Sequence, residues 1–229
     1  TVFNAITGLS AETGAGAARG KTNLGVVKVP DRRVEALSDL FKPKKKTLAE
    51  ATFSDVAAGA GGQGLDRNTL NAMREVDALC QVVRAFHDPA ELAPPNPQQE
   101  ALDLEVETIL ADLELVEKRL DRIRKERSNP REQAALEKLK AHLDASRPLR
   151  SLSLSDEEWA LFVSLRFLSV KPLLLVMNVD EDQVAAPPPA ELAEFARDRG
   201  LGLVVLSAKV EEEIAHLAPE EQKEFVTAL

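Results

Sequence analysis

From Gln99 to Arg127 the apolar residues Leu102, Val106, Ile109, Leu113, Val116, Leu120 and Ile123 recur at alternating spacings of four and three. That period keeps one stripe of a long helix apolar and calls for a second helix to cover it. Ser128-Asn129-Pro130 interrupts the pattern. It can also restart a helix, because proline is tolerated in a first helical turn, where its missing N–H has no partner to lose. Leu136, Leu139 and Leu143 continue the stripe on the way back. The predicted structure is an antiparallel helical hairpin. The charged residues on its outer faces are read as a solvated surface.

On both sides of this hairpin the pattern is different. Helical spacing is expected over Val2 to Thr7, with Gly8 ending the helix, and over Arg32 to Phe41, Asn68 to Glu75, Ser155 to Phe167, Ala190 to Asp198, Glu211 to Leu217 and Pro219 to Ala228. Short apolar runs predict strands at Leu24 to Val29, Ala51 to Val56, Ala78 to Phe86, Pro172 to Met177 and Leu201 to Leu206. Strands alternating with helices imply an α/β fold with a mainly parallel sheet. Ser10 to Lys21 and Ala57 to Gly64 are rich in glycine and read as mobile loops, Lys42 to Lys46 is a basic loop, and Asp88 to Pro97 is a proline-rich break. The hairpin therefore interrupts one domain: residues 1–97 and 168–229 form the α/β body and residues 98–167 the insertion.

The chain has 229 residues, 44% of them hydrophobic, enough for a substantial core. A formal net charge of −9 argues against a general nucleic-acid binder but leaves room for a local basic patch. A single cysteine, Cys80, excludes an internal disulfide. Its apolar neighbours make it a buried thiol. No apolar stretch reaches the length of a membrane span. A cytoplasmic monomer with no membrane partner is expected. The first residues read as a helix already in progress, so the chain is expected to be a piece of a longer protein.

Four segments carry chemistry. Thr1-Val2-Phe3-Asn4-Ala5-Ile6-Thr7 could follow directly on a phosphate-binding loop, which feeds a helix whose free N–H groups bind phosphate. An ordinary amphipathic helix explains it equally well. Asp55 ends a strand, where a carboxylate can support Mg²⁺ through water; a plain turn aspartate is the alternative. Asn178-Val179-Asp180-Glu181 follows Leu173 to Met177 and departs from the Asn-Lys-x-Asp base reader of GTPases at two positions. A carboxylate one methylene farther out cannot keep the same two-pronged contact with guanine. Ser207-Ala208-Lys209 matches the turn that closes over the base in such domains. Each is weak alone. In order, each at a strand end, they reinforce one another.

Val2 to Thr7, Leu24 to Asp31 and Lys42 to Lys45 resemble the YchF/Obg-like ATPase family of P-loop proteins. So do Arg74 to Ala78 with Val82-Val83-Arg84, Glu107 to Glu114 with Val116 to Leu120, and Asn178 to Glu181. The resemblance implies a Ras-like P-loop NTPase domain carrying a coiled-coil insertion. It implies ATP as the preferred substrate over GTP, ADP and phosphate as products, and Mg²⁺ as cofactor. Thr1, Asn178, Val179, Glu181, Ser207, Ala208 and Lys209 would bind the nucleotide, and Asp55 the Mg²⁺ shell. It also implies a link to the ribosome or its RNA and to translation or stress control. The family's phosphate loop and its C-terminal TGS domain fall outside this sequence, and His87 matches no catalytic position, so a surface loop is expected there. Two alternatives stand beside this reading. One is a conventional GTPase. The other is a binding module with incidental turnover, using the hairpin and Lys42 to Lys46 to touch ribosomal RNA or a protein.

Overall fold

In the computed structural model, residues 2–11, 22–56, 65–88, 93–218 and 220–222 are described. They fall into two compact units, Thr1–Ala57 with Ala208–Leu229, and Ala58–Ser207. The two glycine-rich loop segments (12–21 and 57–64), Thr1 and the last predicted helix beyond Gln222 lie outside the described residues.

The first unit contains α1 (Val2–Thr7), β1 (Asn23–Lys28), α2 (Arg32–Phe41), β2 (Glu50–Asp55) and α8 (Ala208–Ala215). Gly8 closes α1 at φ +66°, a conformation open to glycine, and its N–H bonds the Asn4 carbonyl at 2.8 Å. Asn4 is buried and ties three pieces of chain together. Its amide donates to the Ala11 carbonyl at 3.0 Å and to Glu212 of α8 at 3.3 Å, and its Oδ1 accepts from the Ala11 N–H at 2.9 Å. β1 passes so close to α1 that a Cβ on Gly25 would lie 2.4 Å from the Thr7 methyl.

β1 and β2 pair antiparallel, from Asn23 opposite Asp55 to Lys28 opposite Glu50. The helix between them suggested a parallel crossover. Instead the excursion through α2 leaves and returns at the same end of the pair, as a long hairpin loop does. α2 starts on Asp31, whose carboxylate accepts the Arg33 N–H at 2.9 Å, and ends on Lys42 in the left-handed region at φ 44°. It buries none of its residues.

The second unit is built on the parallel sheet β3 (Leu79–Arg84), β4 (Leu173–Asn178) and β5 (Gly202–Leu206), in that order. α3 (Arg67–Glu75) and α7 (Ala190–Asp198) flank the strands in sequence. Leu175, Met177 and Val83 of the sheet, Leu192 and Phe195 of α7 and Ala101 share one apolar core. Along β3 burial alternates, with Val83 buried and Cys80 and Val82 exposed. The expected buried thiol is therefore corrected: an apolar run is buried on both faces only where both are covered, and among the described residues the Cys80 face of β3 is exposed.

The hairpin is α4 (Pro97–Glu126) and α5 (Pro130–Asp144), with Asn96 and Asn129 capping the two starts and proline in each first turn. Val116, Leu120 and Ile123 pack against Leu136, Leu139 and Leu143 as the stripe predicts. The first half of α4 departs from it. Val106 is 42% exposed, while Glu105, Thr108 and Asp112 are buried. That half packs on the sheet and on the chain returning from the hairpin, so its buried face is set by those partners and not by α5.

Three charged side chains hold this region. Asp112, with no exposed surface, accepts from the Leu168 N–H at 2.9 Å, the Ser169 N–H at 2.7 Å and the Ser169 hydroxyl at 2.7 Å. Burial pushes its carboxyl up against the opposing pull of those donors. Glu105 pairs with Arg150 and, at 2.6 Å, with Arg199, which stacks on Phe195 at 4.0 Å. Lys171 donates to the Arg74 carbonyl at 2.9 Å and to that of Val76, where α3 ends. Between Ser155 and Phe167 the expected helix is only α6 (Asp156–Ala160), followed by a 3₁₀ turn over Val163–Leu165. Ser155 caps α6 in a reciprocal capping box with Glu158.

Candidate nucleotide-binding site

Asn178 is the last residue of β4, the central strand of the parallel sheet. Its carbonyl accepts the Ala85 N–H at 2.8 Å, and the next N–H, that of Val179, donates to Leu206 at 2.9 Å. The motif's first two residues are thus fixed from both sides by neighbouring strands. Val179 is 4% exposed and belongs to the sheet core with Leu192 and Phe195. A valine therefore continues the core where a lysine would have to leave it. At Asp180 the chain turns, and Glu181–Gln183 forms a 3₁₀ turn with the Gln183 N–H on the Asp180 carbonyl at 3.0 Å. Glu181 is exposed on this turn. Its carboxylate is an acceptor just beyond the carboxyl end of the central strand, where open α/β sheets bind ligands.

Ser207 follows β5 directly and is 3% exposed. It lies in the same unit as Asn178, Val179 and Glu181, and the β4–β5 register (Asn178 opposite Leu206) places it beside Val179. Ala208 and Lys209 open α8 in the first unit, Ala208 buried and Lys209 exposed. Asp55 ends β2 in that same unit, where its Oδ2 accepts from the Asn23 amide at 3.3 Å. Thr1 lies outside the described residues. His87 is exposed in the loop after β3.

The sequence reading missed Glu100. Its carboxylate accepts the Arg84 N–H at 2.9 Å, and its carbonyl accepts the Gln81 amide at 2.7 Å. Arg84 stands opposite Asn178 in the sheet, so Glu100 anchors to α4 the strand end that borders the motif. One acidic residue in a helix's first turn carries no sequence signal for such a role.

Among the described residues no group of three or more His, Cys, Asp or Glu side chains is placed to hold a metal ion. A single carboxylate fits Mg²⁺ nonetheless, since that ion takes most of its oxygen ligands from water and phosphate. No helix of the described residues is long and apolar enough to cross a membrane.

The Ribosome-binding ATPase YchF of Bacillus subtilis is 38% identical over all of this chain, which covers 67% of that protein. The chain belongs to the YchF family. The Ribosome-binding ATPase YchF of Escherichia coli O157:H7 is 34% identical, again over the whole chain and 67% of the relative. Among solved structures, the Schizosaccharomyces pombe YchF GTPase superposes with a TM-score of 0.79 at 28% identity, over 99% of this chain and 67% of that one. No family model matches the chain. YchF-family membership establishes the P-loop NTPase class.

Proposed function

We propose that this chain is the nucleotide-binding part of an ATPase that prefers ATP to GTP, releases ADP and phosphate, and serves as a molecular switch on the ribosome in translation or stress control. The observation that carries the base preference is Asn178-Val179-Asp180-Glu181 at the end of the central strand, with Val179 in the core and Glu181 in solvent. Adenine presents an exocyclic amine to an acceptor. Guanine presents a ring N–H beside its amine, a pair that the shorter aspartate spans better. Asn178 and Glu181 would contact the base, with Val179 between them held in the sheet core. Ser207, Ala208, Lys209 and Thr1 would also bind the nucleotide.

Asp55 would hold water in the Mg²⁺ shell. The ion supplies charge neutralisation of the phosphates when bound. The chain's own part is to orient the base and exclude alternative nucleotides. Residues 98–167 would act as an insertion in the NTPase domain, and a cytoplasmic location fits the ribosome-binding names of the relatives; the reading takes the protein as a monomer.

Glu181→Asp tests the base reading. Lysine at 179 would bury an ammonium among Leu192 and Phe195, so the change is made at Glu181 alone. The ratio of GTP to ATP dissociation constants should fall by about fivefold, the worth of roughly one hydrogen bond. An unchanged ratio in isothermal titration counts against the role of Glu181. The rival reading, a GTPase, is supported by the name of the fission-yeast relative.

A further inference from the structure

The far end of the hairpin departs from the charge of the chain as a whole. Residues 118–131 hold seven Lys and Arg side chains against two acidic ones, Asp121 and Glu126, in a chain of formal net charge −9. Several are already committed. Lys118 pairs with Glu114, Arg122 with Glu126 at 2.8 Å, Arg124 with Glu137 at 3.2 Å, and Arg119 with the buried Glu132 at 2.7 Å. Lys125 and Arg127 are exposed and make no ion pair among the described residues. Lys118, Arg122 and Lys125 recur at helical spacing on one face of α4 and line, with Asp121 and Glu126, a shallow groove of about 400 Å³. Arg127 stands in the left-handed C-cap at φ 48°, its N–H bonded to the Ile123 carbonyl, so its stem projects from a defined turn.

We infer that this tip docks on RNA, with Lys125 and Arg127 making phosphate contacts and the groove of α4 lying along the backbone. The inference rests on the ribosome-linked reading above and names the surface that carries it. A cationic, polar and solvated surface suits phosphate. A protein partner would call for apolar anchors at its centre, and the groove residues are all charged. The apolar residues of this segment, Leu120 and Ile123, are buried against α5. Glu114, Glu126 and Glu137 already pair with Lys118, Arg122 and Arg124, leaving Lys125 and Arg127 as the cations free to replace counterions on phosphate.

The test is co-sedimentation of the intact protein with purified ribosomes from 50 to 200 mM salt, repeated with ribosomal RNA freed of protein. Wild type is compared with Lys125→Gln/Arg127→Gln, and a thermal melt verifies that the variant is folded. Each lost phosphate contact lowers the slope of log affinity against log salt by about one, so the double variant should lose about two. Its affinity should drop about tenfold for ribosomes and for bare RNA alike. Unchanged affinity and slope, with wild type bound, overturn the tip as the contact. A loss on ribosomes with no binding of wild type to bare RNA assigns the tip to a ribosomal protein and overturns the RNA contact. Failure of wild type to bind ribosomes at all rejects the ribosome-linked reading itself.

Discussion

At the residue scale, Asp112 shows how the cost of burying a carboxylate can be partly offset. Taking it out of water disfavours its charge, and three donors at 2.7–2.9 Å return part of that cost. An isosteric amide cannot do the same, because its NH₂ would face a donor. Asp112→Asn should lower stability by about 1–3 kcal/mol in urea unfolding. The pH dependence has a definite sign. The native pKa lies above the ordinary 3.8, so the group's stabilising share is complete below 3.8 and is lost as pH rises through the native value. The stability gap between wild type and Asp112→Asn should therefore be widest in acid and shrink on that rise. A gap that grows with pH would mean that the donors outweigh burial. Nothing in the sequence marks Asp112 for this work, since its partners Leu168 and Ser169 arrive only when the chain returns from the hairpin. Glu105 with Arg150 and Arg199 was hidden for the same reason.

At the scale of elements, the apolar stripe of α4 combines two interfaces. Its second half meets α5, and there the heptad positions read from the sequence are the buried ones. Its first half meets the sheet, and the face rotates away from Val106. Leu139→Ala should cost about 2–5 kcal/mol, because its side chain is fully buried. Val106→Ala, at a position 42% exposed, should stay within about 0.5 kcal/mol. Equal losses from the two in chemical denaturation would restore a continuous seam. Helix positions were legible because apolar periodicity is local: the expected spans Arg32 to Phe41 and Ala190 to Asp198 are those of α2 and α7. Strand pairing was not, since the antiparallel match of β1 with β2 depends on where a chain excursion ends. The exposure of Cys80 likewise depends on what covers the second face of β3.

At the scale of the whole molecule, the position of the proposed base-reading motif was legible because its residues are consecutive and close the central strand. The anchoring of its neighbour strand by Glu100 was not, because that contact joins residues sixteen positions apart through folding alone. The family relation makes the chain a P-loop NTPase, and the position of Glu181 is what argues for adenine. Isothermal titration of the intact protein with ATP and with GTP in the presence of Mg²⁺ decides the base preference. ATP should bind about tenfold more tightly, a difference of about 1.4 kcal/mol. Equal affinity, or tighter binding of GTP, would contradict it.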